Sequence, residues 1–338
     1  MPEQFMKLPD GDQADILNSV AHQIKKAPVV LEKDIWVCWA LQALFIMPGR
    51  LQMAFKGGTA LSKVYNIIDR FSEDVDITLD YRGFVEEIKG VPSKSAIKKL
   101  GEQLKEFVSE HSKKVVRPHF EKLLTEQFPS RRHSIDVSEN GEELRIHYPS
   151  VFKENTGRYL AATVLLEFGG RNITEPSEEH LVRPYVAEVL PELEFPEATV
   201  IVLAMARSFW EKATLIHVEC NRAEFKASSE RLSRHWYDMS CLYRSGKAQH
   251  AIADRALLAD VVKYKKLFYN SAYANYDDCL AASLKLEPGS AFIDALAKDF
   301  QQMIEAGMFY GTPSFEEIMK DIHDLEALIN LTDQTTPT

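Results

Sequence analysis

Apolar residues recur at helical spacing over residues 10–26, where Ile16, Leu17, Val20, Ala21 and Ile24 share a face, and Pro28 ends the pattern. Leu31 to Phe45 reads as a second helix carrying Ile35, Trp36, Cys38, Trp39, Leu41 and Leu44. It opens on Glu32, Lys33 and Asp34, and acidic residues suit the dipole of a first turn. Pro48 and Gly49 close it. Leu51 to Phe55 alternates as a short strand, and Leu61, Val64, Tyr65 and Ile68 predict a helix over Thr59 to Arg70. Val75, Ile77 and Leu79 then alternate with Asp74, Asp76, Thr78 and Asp80, the period of a strand with one polar face.

Residues 85–128 are charged and helical in pattern, and Pro129 breaks the run. Residues 133–148 form two alternating runs around Asn140-Gly141, a hairpin signal. Tyr159 to Phe168 is an apolar strand ending at Gly169-Gly170. Pro176, Pro184, Pro191 and Pro196 describe an extended segment and a domain junction. Beyond it, Val200 to His217, Arg231 to Arg244, Ala251 to Lys266, Ile293 to Ala306 and Phe315 to Leu331 read as helices. The expected architecture is α+β: a mixed-sheet domain with flanking helices over 1–195, then a helical domain over 196–338.

Composition agrees with two domains. The chain has 338 residues, 45% of them hydrophobic, enough for a sizeable core. A net charge of -10 argues against a general nucleic-acid coat, which would present a basic face. Lys94, Lys98, Lys99, Lys105, Lys113, Lys114, Arg117 and Lys122 leave two readings open, a solvated helical face or a groove for an RNA. Cys38, Cys220, Cys241 and Cys279 lie far apart without metal-ligand spacing and read as buried free thiols. No basic segment followed by an apolar run opens the sequence, and no apolar run reaches the roughly 18 residues of a membrane span. The expectation is a cytoplasmic protein without membrane association.

The chemistry concentrates between Phe55 and Asp80. Gly57 and Gly58 allow close backbone approach to phosphates, and the amides of the following helix point at such a ligand. Thr59 adds a hydroxyl. Asp74 and Asp76, two apart on a strand, project from one face, and Val75 and Ile77 turn to the core. Paired carboxylates repel unless a cation lies between them, and hard oxygen ligands with room for water and phosphate suit Mg2+, with Mn2+ as an alternative. Two such ions would serve an in-line phosphoryl displacement. Lys56 precedes the glycines rather than following them, and the aspartates return after one helix, an order that favours nucleotidyl transfer over hydrolysis. Arg70 and Ser72 flank the aspartates. Each is a candidate phosphate contact, and Arg70 has a second reading as the basic end of the preceding helix.

Phe-Lys-Gly-Gly-Thr-Ala-Leu at 55–61 and Arg-Phe-Ser-Glu-Asp-Val-Asp-Ile at 70–77 resemble the AbiEii-type nucleotidyltransferases, toxins of type IV toxin–antitoxin and abortive-infection systems within the DNA polymerase β-like superfamily. Leu31 to Trp36 is similar to that family's preceding helix, with weaker likeness at 207–242 and 308–330. The resemblance implies a polymerase β-like fold and a third carboxylate on a neighbouring strand, for which Glu167 is the candidate and Asp136 the rival. It also implies a lysine and an aspartate on successive later helices, matched by Lys212 and Asp238. Lys212 would offset triphosphate charge, and Asp238 would hold that lysine or a nearby arginine.

The expected reaction is transfer of a nucleoside monophosphate from an NTP to an acceptor hydroxyl. Asp74, Asp76 and Glu167 would serve as metal ligands, and Gly57, Gly58 and Thr59 would bind phosphate. The helical domain would complete the active-site cleft. The resemblance implies the 3′ end of tRNA as acceptor, a consequent block of translation, and a separately encoded antitoxin as partner. Nucleotidylation of a protein side chain and a non-catalytic nucleotide-binding regulator are the alternatives.

Overall fold

The computed structural model describes residues 3–72, 74–85, 93–152, 161–222 and 231–334. Tyr159 and Leu160, where an apolar strand is expected to start, and Glu73 of the aspartate motif lie outside the described residues. The chain divides into two compact units, residues 1–64 with 72–202 and residues 65–71 with 203–338.

The first unit opens with strand β1 (Glu3–Gln4) and helices α1 (Asp10–Ile24) and α2 (Pro28–Phe45). Then come β2 (Met53–Lys56), α3 (Gly57–Lys63), β3 (Asp74–Asp80), α4 (Lys94–His111), a π-helical turn (Ser112–Val116) and α5 (Arg117–Gln127). The strands β4 (Ser134–Val137), β5 (Glu143–His147), β6 (Thr163–Asn172), β7 (Ser177–Val182), β8 (Leu193–Glu194) and β9 (Ala198–Leu203) follow. Seven of these strands form one sheet in the order β4-β5-β6-β3-β2-β9-β7, and β1 pairs with β8 apart from it. The sheet is mixed: β3 runs parallel to β6 and antiparallel to β2, β2 is parallel to β9, and β4-β5-β6 is antiparallel. β3 is the middle strand, and its Val75, Ile77 and Leu79 are all 0% exposed. Each such side chain contributes about 1.5–3 kcal/mol by leaving water. On β6, Val164, Leu166 and Phe168 are buried in alternation with half-buried Leu165 and Glu167. Gly170 shares the buried parity and meets α4.

The second unit is helical: α6 (Met205–Cys220), α7 (Arg234–Arg244), α8 (Ala248–Ala253), α9 (Arg255–Phe268), α10 (Ser290–Glu305) and α11 (Phe315–Gln334). α6 packs on α7, α8 and α9, and α11 packs on α7. Trp210 and Trp236 are fully buried here as core residues, and their ring N–H groups donate to Ala251 O at 2.9 Å and Leu286 O at 2.8 Å. The fold is therefore α+β, a mixed sheet with flanking helices followed by a helical region.

Several expected elements differ in extent. Pro28 starts α2 at a position where its missing N–H costs nothing. Glu32, Lys33 and Asp34 consequently lie past the first turn and are buried, so their partners are side chains and backbone groups of other segments. The helix expected over Thr59 to Arg70 stops at Lys63, and Asn66 adopts a positive φ of 50°. The helix expected from Val200 starts at Met205, because Ala-Thr-Val-Ile-Val-Leu at 198–203 is β-branched and pairs as β9. Gly169 and Gly170 lie inside β6 rather than at its end. The helix expected over Ala251 to Lys266 is two helices, separated at Asp254, whose carboxylate accepts from Leu257 N at 2.9 Å and caps α9. The Asn140-Gly141 hairpin forms as expected, with Ile135 opposite Ile146.

Candidate functional site

In the first unit the β2–α3–β3 unit brings the glycines to the aspartates. Antiparallel pairing sets Lys56 opposite Asp76. Gly57 follows with φ +79°, and a Cβ there would lie 1.8 Å from Asp76 Oδ2. Only glycine lets the backbone turn this closely over that carboxylate. Thr59 is 1% exposed, and its Oγ1 donates to Asp74 O at 2.6 Å. With that proton committed, the 2.9 Å contact between Thr59 Oγ1 and Ser72 Oγ has Ser72 as donor. The two hydroxyls thus tie α3 to the start of β3, and Thr59 is a brace where the sequence suggests a free donor.

Asp74 and Asp76 are half-buried on one face of β3, with Val75 buried on the other. The parallel register with β6 sets Glu167 directly beside Asp76 and Leu165 beside Asp74. The antiparallel register with β5 sets Glu143 beside Glu167. One row across four strands therefore reads Glu143, Glu167, Asp76, Lys56. Burial, then the charges of Asp76 and Asp74, push the Glu167 carboxyl up to about 7. Asp136 lies on the sheet-edge strand β4 opposite Arg145, and its exposed carboxylate meets His147 Nε2 at 2.7 Å. Among the described residues no group of three or more His, Cys, Asp or Glu side chains is placed to hold a metal ion. The candidate donors are the carboxylate oxygens of Asp74 and Asp76 on β3 and of Glu167 on the adjacent β6. Such a set fits a Mg2+ ion that keeps water and phosphate oxygens in its shell.

In the second unit, Arg70, Lys212 and Asp238 form one hydrogen-bonded group. Arg70 Nε and Nη2 donate to Asp238 Oδ1 and Oδ2 at 2.7 and 2.9 Å, a bidentate pair. Lys212 Nζ donates to Asp238 Oδ2 at 2.8 Å. Asp238 is fully buried, and burial would raise its pKa. The Arg70 and Lys212 charges outweigh this and hold it well below the usual carboxylate range. Arg70 reaches Asp238 because its segment pairs with the one before α11: Phe71 N donates to Met308 O at 2.7 Å and Tyr310 N to Asp69 O at 3.2 Å. It closes no helix, which removes its reading as a dipole partner. His235 beside this group is kept neutral by burial and by the Lys212 and Arg234 charges.

The lysines of 94–122 include exposed pairs with acids four residues away, Lys114 with Glu110, Arg117 with Glu121 and Lys122 with Glu126, which fits a solvated face. Sequence reasoning passed over Glu143, whose place beside Glu167 depends on strand register. It also passed over the pairing of Asp34 with Lys63, for which a charged triplet inside an apolar helix was the available sign.

No curated protein matches the chain. Among solved structures, MenT4, a nucleotidyltransferase toxin from Mycobacterium tuberculosis H37Rv, is similar at 16% identity and a TM-score of 0.41, over 98% of this chain and 100% of its own. The family model described as nucleotidyl transferase AbiEii toxin, type IV TA system, matches residues 39–321. That span holds the Gly-Gly turn, the three acids and the Arg70–Lys212–Asp238 group, and the chain belongs to the AbiEii family of nucleotidyl transferase toxins.

Proposed function

We propose that this protein is a Mg2+-dependent toxin that transfers a nucleoside monophosphate from an NTP to the 3′-terminal hydroxyl of tRNA, releasing pyrophosphate and blocking translation. The observation that carries the reading is the row of Asp76 beside Glu167 on parallel strands, with Asp74 two residues before and Gly57 turned over the Asp76 carboxylate.

In this reading Asp74 and Asp76, with Glu167 beside them, would hold the divalent cation, which would supply charge neutralisation of the phosphates and of the leaving pyrophosphate. Glu167, beside Asp76 on the adjacent strand, is the candidate base for the proton of the acceptor hydroxyl as the new P–O bond forms and pyrophosphate leaves. The amides of Gly57 and Gly58 bind the β- and γ-phosphates, and Thr59 and Ser72 keep the start of β3 in place beneath them. Lys212 meets triphosphate charge, with Asp238 and Arg70 fixing its ammonium. Glu167 takes the part of third acid in preference to Asp136, which stands at the sheet edge. The first unit is the nucleotidyltransferase domain in this reading. We assign the reaction to the cytoplasm, where NTPs and tRNA occur, and no described helix is long and apolar enough to cross a membrane. The type IV toxin family implies an antitoxin as partner.

The test is incubation of the purified protein with each labelled NTP, Mg2+ and total tRNA or lysate. Wild type should label RNA, and Asp76→Asn and Lys212→Ala should each lower labelling by about a hundredfold or more. Label in protein would move the acceptor to a side chain. No label, together with equal harmlessness of wild type and Asp76→Ala on expression, would overturn the reading.

A further inference from the structure

A second group of buried charges stands at the far end of α3 from Gly57. Fifteen side chains of α2 are buried, and three of them in succession are charged: Glu32, Lys33 and Asp34, each under a tenth exposed. Each holds a different segment. Glu32 accepts from Ser150 Oγ at 2.7 Å and Val151 N at 2.6 Å. Lys33 Nζ donates to Ala161 O at 3.1 Å. Asp34 Oδ2 accepts from Tyr185 N at 2.7 Å, and its Oδ1 is ion-paired with Lys63, the last residue of α3. The paired side chains are 3% and 7% exposed. The Lys63 ammonium also lies 4.0 Å above the Tyr185 ring centroid, and the Tyr185 hydroxyl meets Ser62 Oγ at 3.0 Å.

An ion pair taken fully out of water gains little net stability, because desolvation cancels most of its attraction. What it does supply is a fixed geometry. α3 has seven residues, about 10 Å of helix, too short to hold its own conformation or place. Thr59 bolts its first turn to β3, and Lys63 bolts its last turn to α2. We propose that the Asp34–Lys63 pair, braced by Tyr185, is a positioning device for nucleotide binding: it sets where α3 lies, and so where the amides of Gly57 and Gly58 stand over Asp76. The proposal rests on the NTP reading of that turn and adds three residues to it, none of which touches the substrate.

The test replaces the charged pair with an apolar one, Asp34→Leu with Lys63→Met, and separately removes the brace with Tyr185→Leu. A device that serves stability alone is dispensable once both charges are gone. A positioning device is not. The double variant should keep the wild-type circular dichroism spectrum yet raise KM for NTP by about tenfold or more, with kcat changed less than threefold. Amide hydrogen exchange over 57–63 should quicken about tenfold while α2 and β6 keep theirs. Tyr185→Leu should shift both readouts in the same direction by about threefold, and it decides the matter if the double variant does not fold. Wild-type KM and wild-type exchange over 57–63 in the variants would overturn the proposal. Should wild type transfer no nucleotide, the enzymatic reading fails on that result, and the exchange measurement alone decides the positioning of α3.

Discussion

At the scale of single residues the candidate site depends on contacts that leave no spare volume. Gly57 is the sharpest case, and Gly49 is its natural control. Both have positive φ, +79° and +69°, so alanine at either is strained by about 1–2 kcal/mol. They differ in surroundings: nothing lies within 4 Å of a Cβ at Gly49, whereas at Gly57 the Asp76 carboxylate is 1.8 Å away. Asp76 can relieve that clash only by turning its carboxylate off its present line. Gly57→Ala should therefore lose more melting temperature than Gly49→Ala, and only Gly57→Ala should lose transfer activity, by about a hundredfold, the scale of an ångström misplacement at a reacting centre. A fully active Gly57→Ala protein would detach the turn from the chemistry. Asp238 shows the same economy. Its two oxygens serve three donor nitrogens on two cations, so any change there moves Arg70 and Lys212 together.

At the scale of elements, register and close packing decide what pattern alone leaves open. Alternation around Asp74 and Asp76 was legible as a strand with an acidic face, because the period of two is a local property. The neighbour that completes the row was less legible: Glu167 and Asp136 both sit in alternating runs, and only the order β4-β5-β6-β3 separates them. The ends of elements were lost where tertiary contacts override propensity. Gly169-Gly170 reads as a strand end, yet the strand continues because α4 needs the missing side chain. A Cβ at Gly170 would lie 2.5 Å from Val108 Cγ2. Gly170→Ala should thus lift α4 off β6 and cost about 1–3 kcal/mol. Val108→Ala on its own opens a small cavity and also costs stability. Combined, the added and removed methyl groups offset each other, so urea unfolding should show the double variant more stable than the sum of the singles predicts, by about 1 kcal/mol. Strict additivity would mean that α4 and β6 are not packed at this point.

Over the whole molecule, the α+β class and the change from sheet to helices were legible because they follow from long runs of periodic residues. Residues 200–203 read as the start of a helix and are strand, because a short β-branched segment joined to a helix carries no boundary of its own. What no pattern could state was the ionisation of buried groups, and this sets how the protein responds to acid. His111, His217 and His235, spread over both units, are all held below 6.5, burial being the first cause in each. At His217 the geometry shows why: Nδ1 accepts from Lys285 N at 2.9 Å and so has no place for a second proton. Well above pH 6.5 these rings are neutral folded or unfolded and pH changes nothing through them. Below it the unfolded chain takes up protons that the folded chain refuses, and stability falls as pH drops toward the native values. Glu167 and Glu32 act in the opposite sense, because their raised values let the folded state bind protons first as pH falls toward 4.5. Whole-protein stability between pH 6.5 and 4.5 is thus a difference of opposed slopes, and a single substitution isolates one of them. His235 is half-buried beside Lys212 and Arg234 and is held well below 6.5, so its share approaches the full single-proton slope of about 1.4 kcal/mol per pH unit. His235→Gln should lower stability at pH 8 through lost packing, and that deficit should shrink steadily as the pH is taken from 6.5 to 5 in urea titrations. A deficit that stays constant across that range would show that the ring takes up its proton as readily folded as unfolded, and the account of burial and the Lys212 and Arg234 charges as holding it neutral would fall with it.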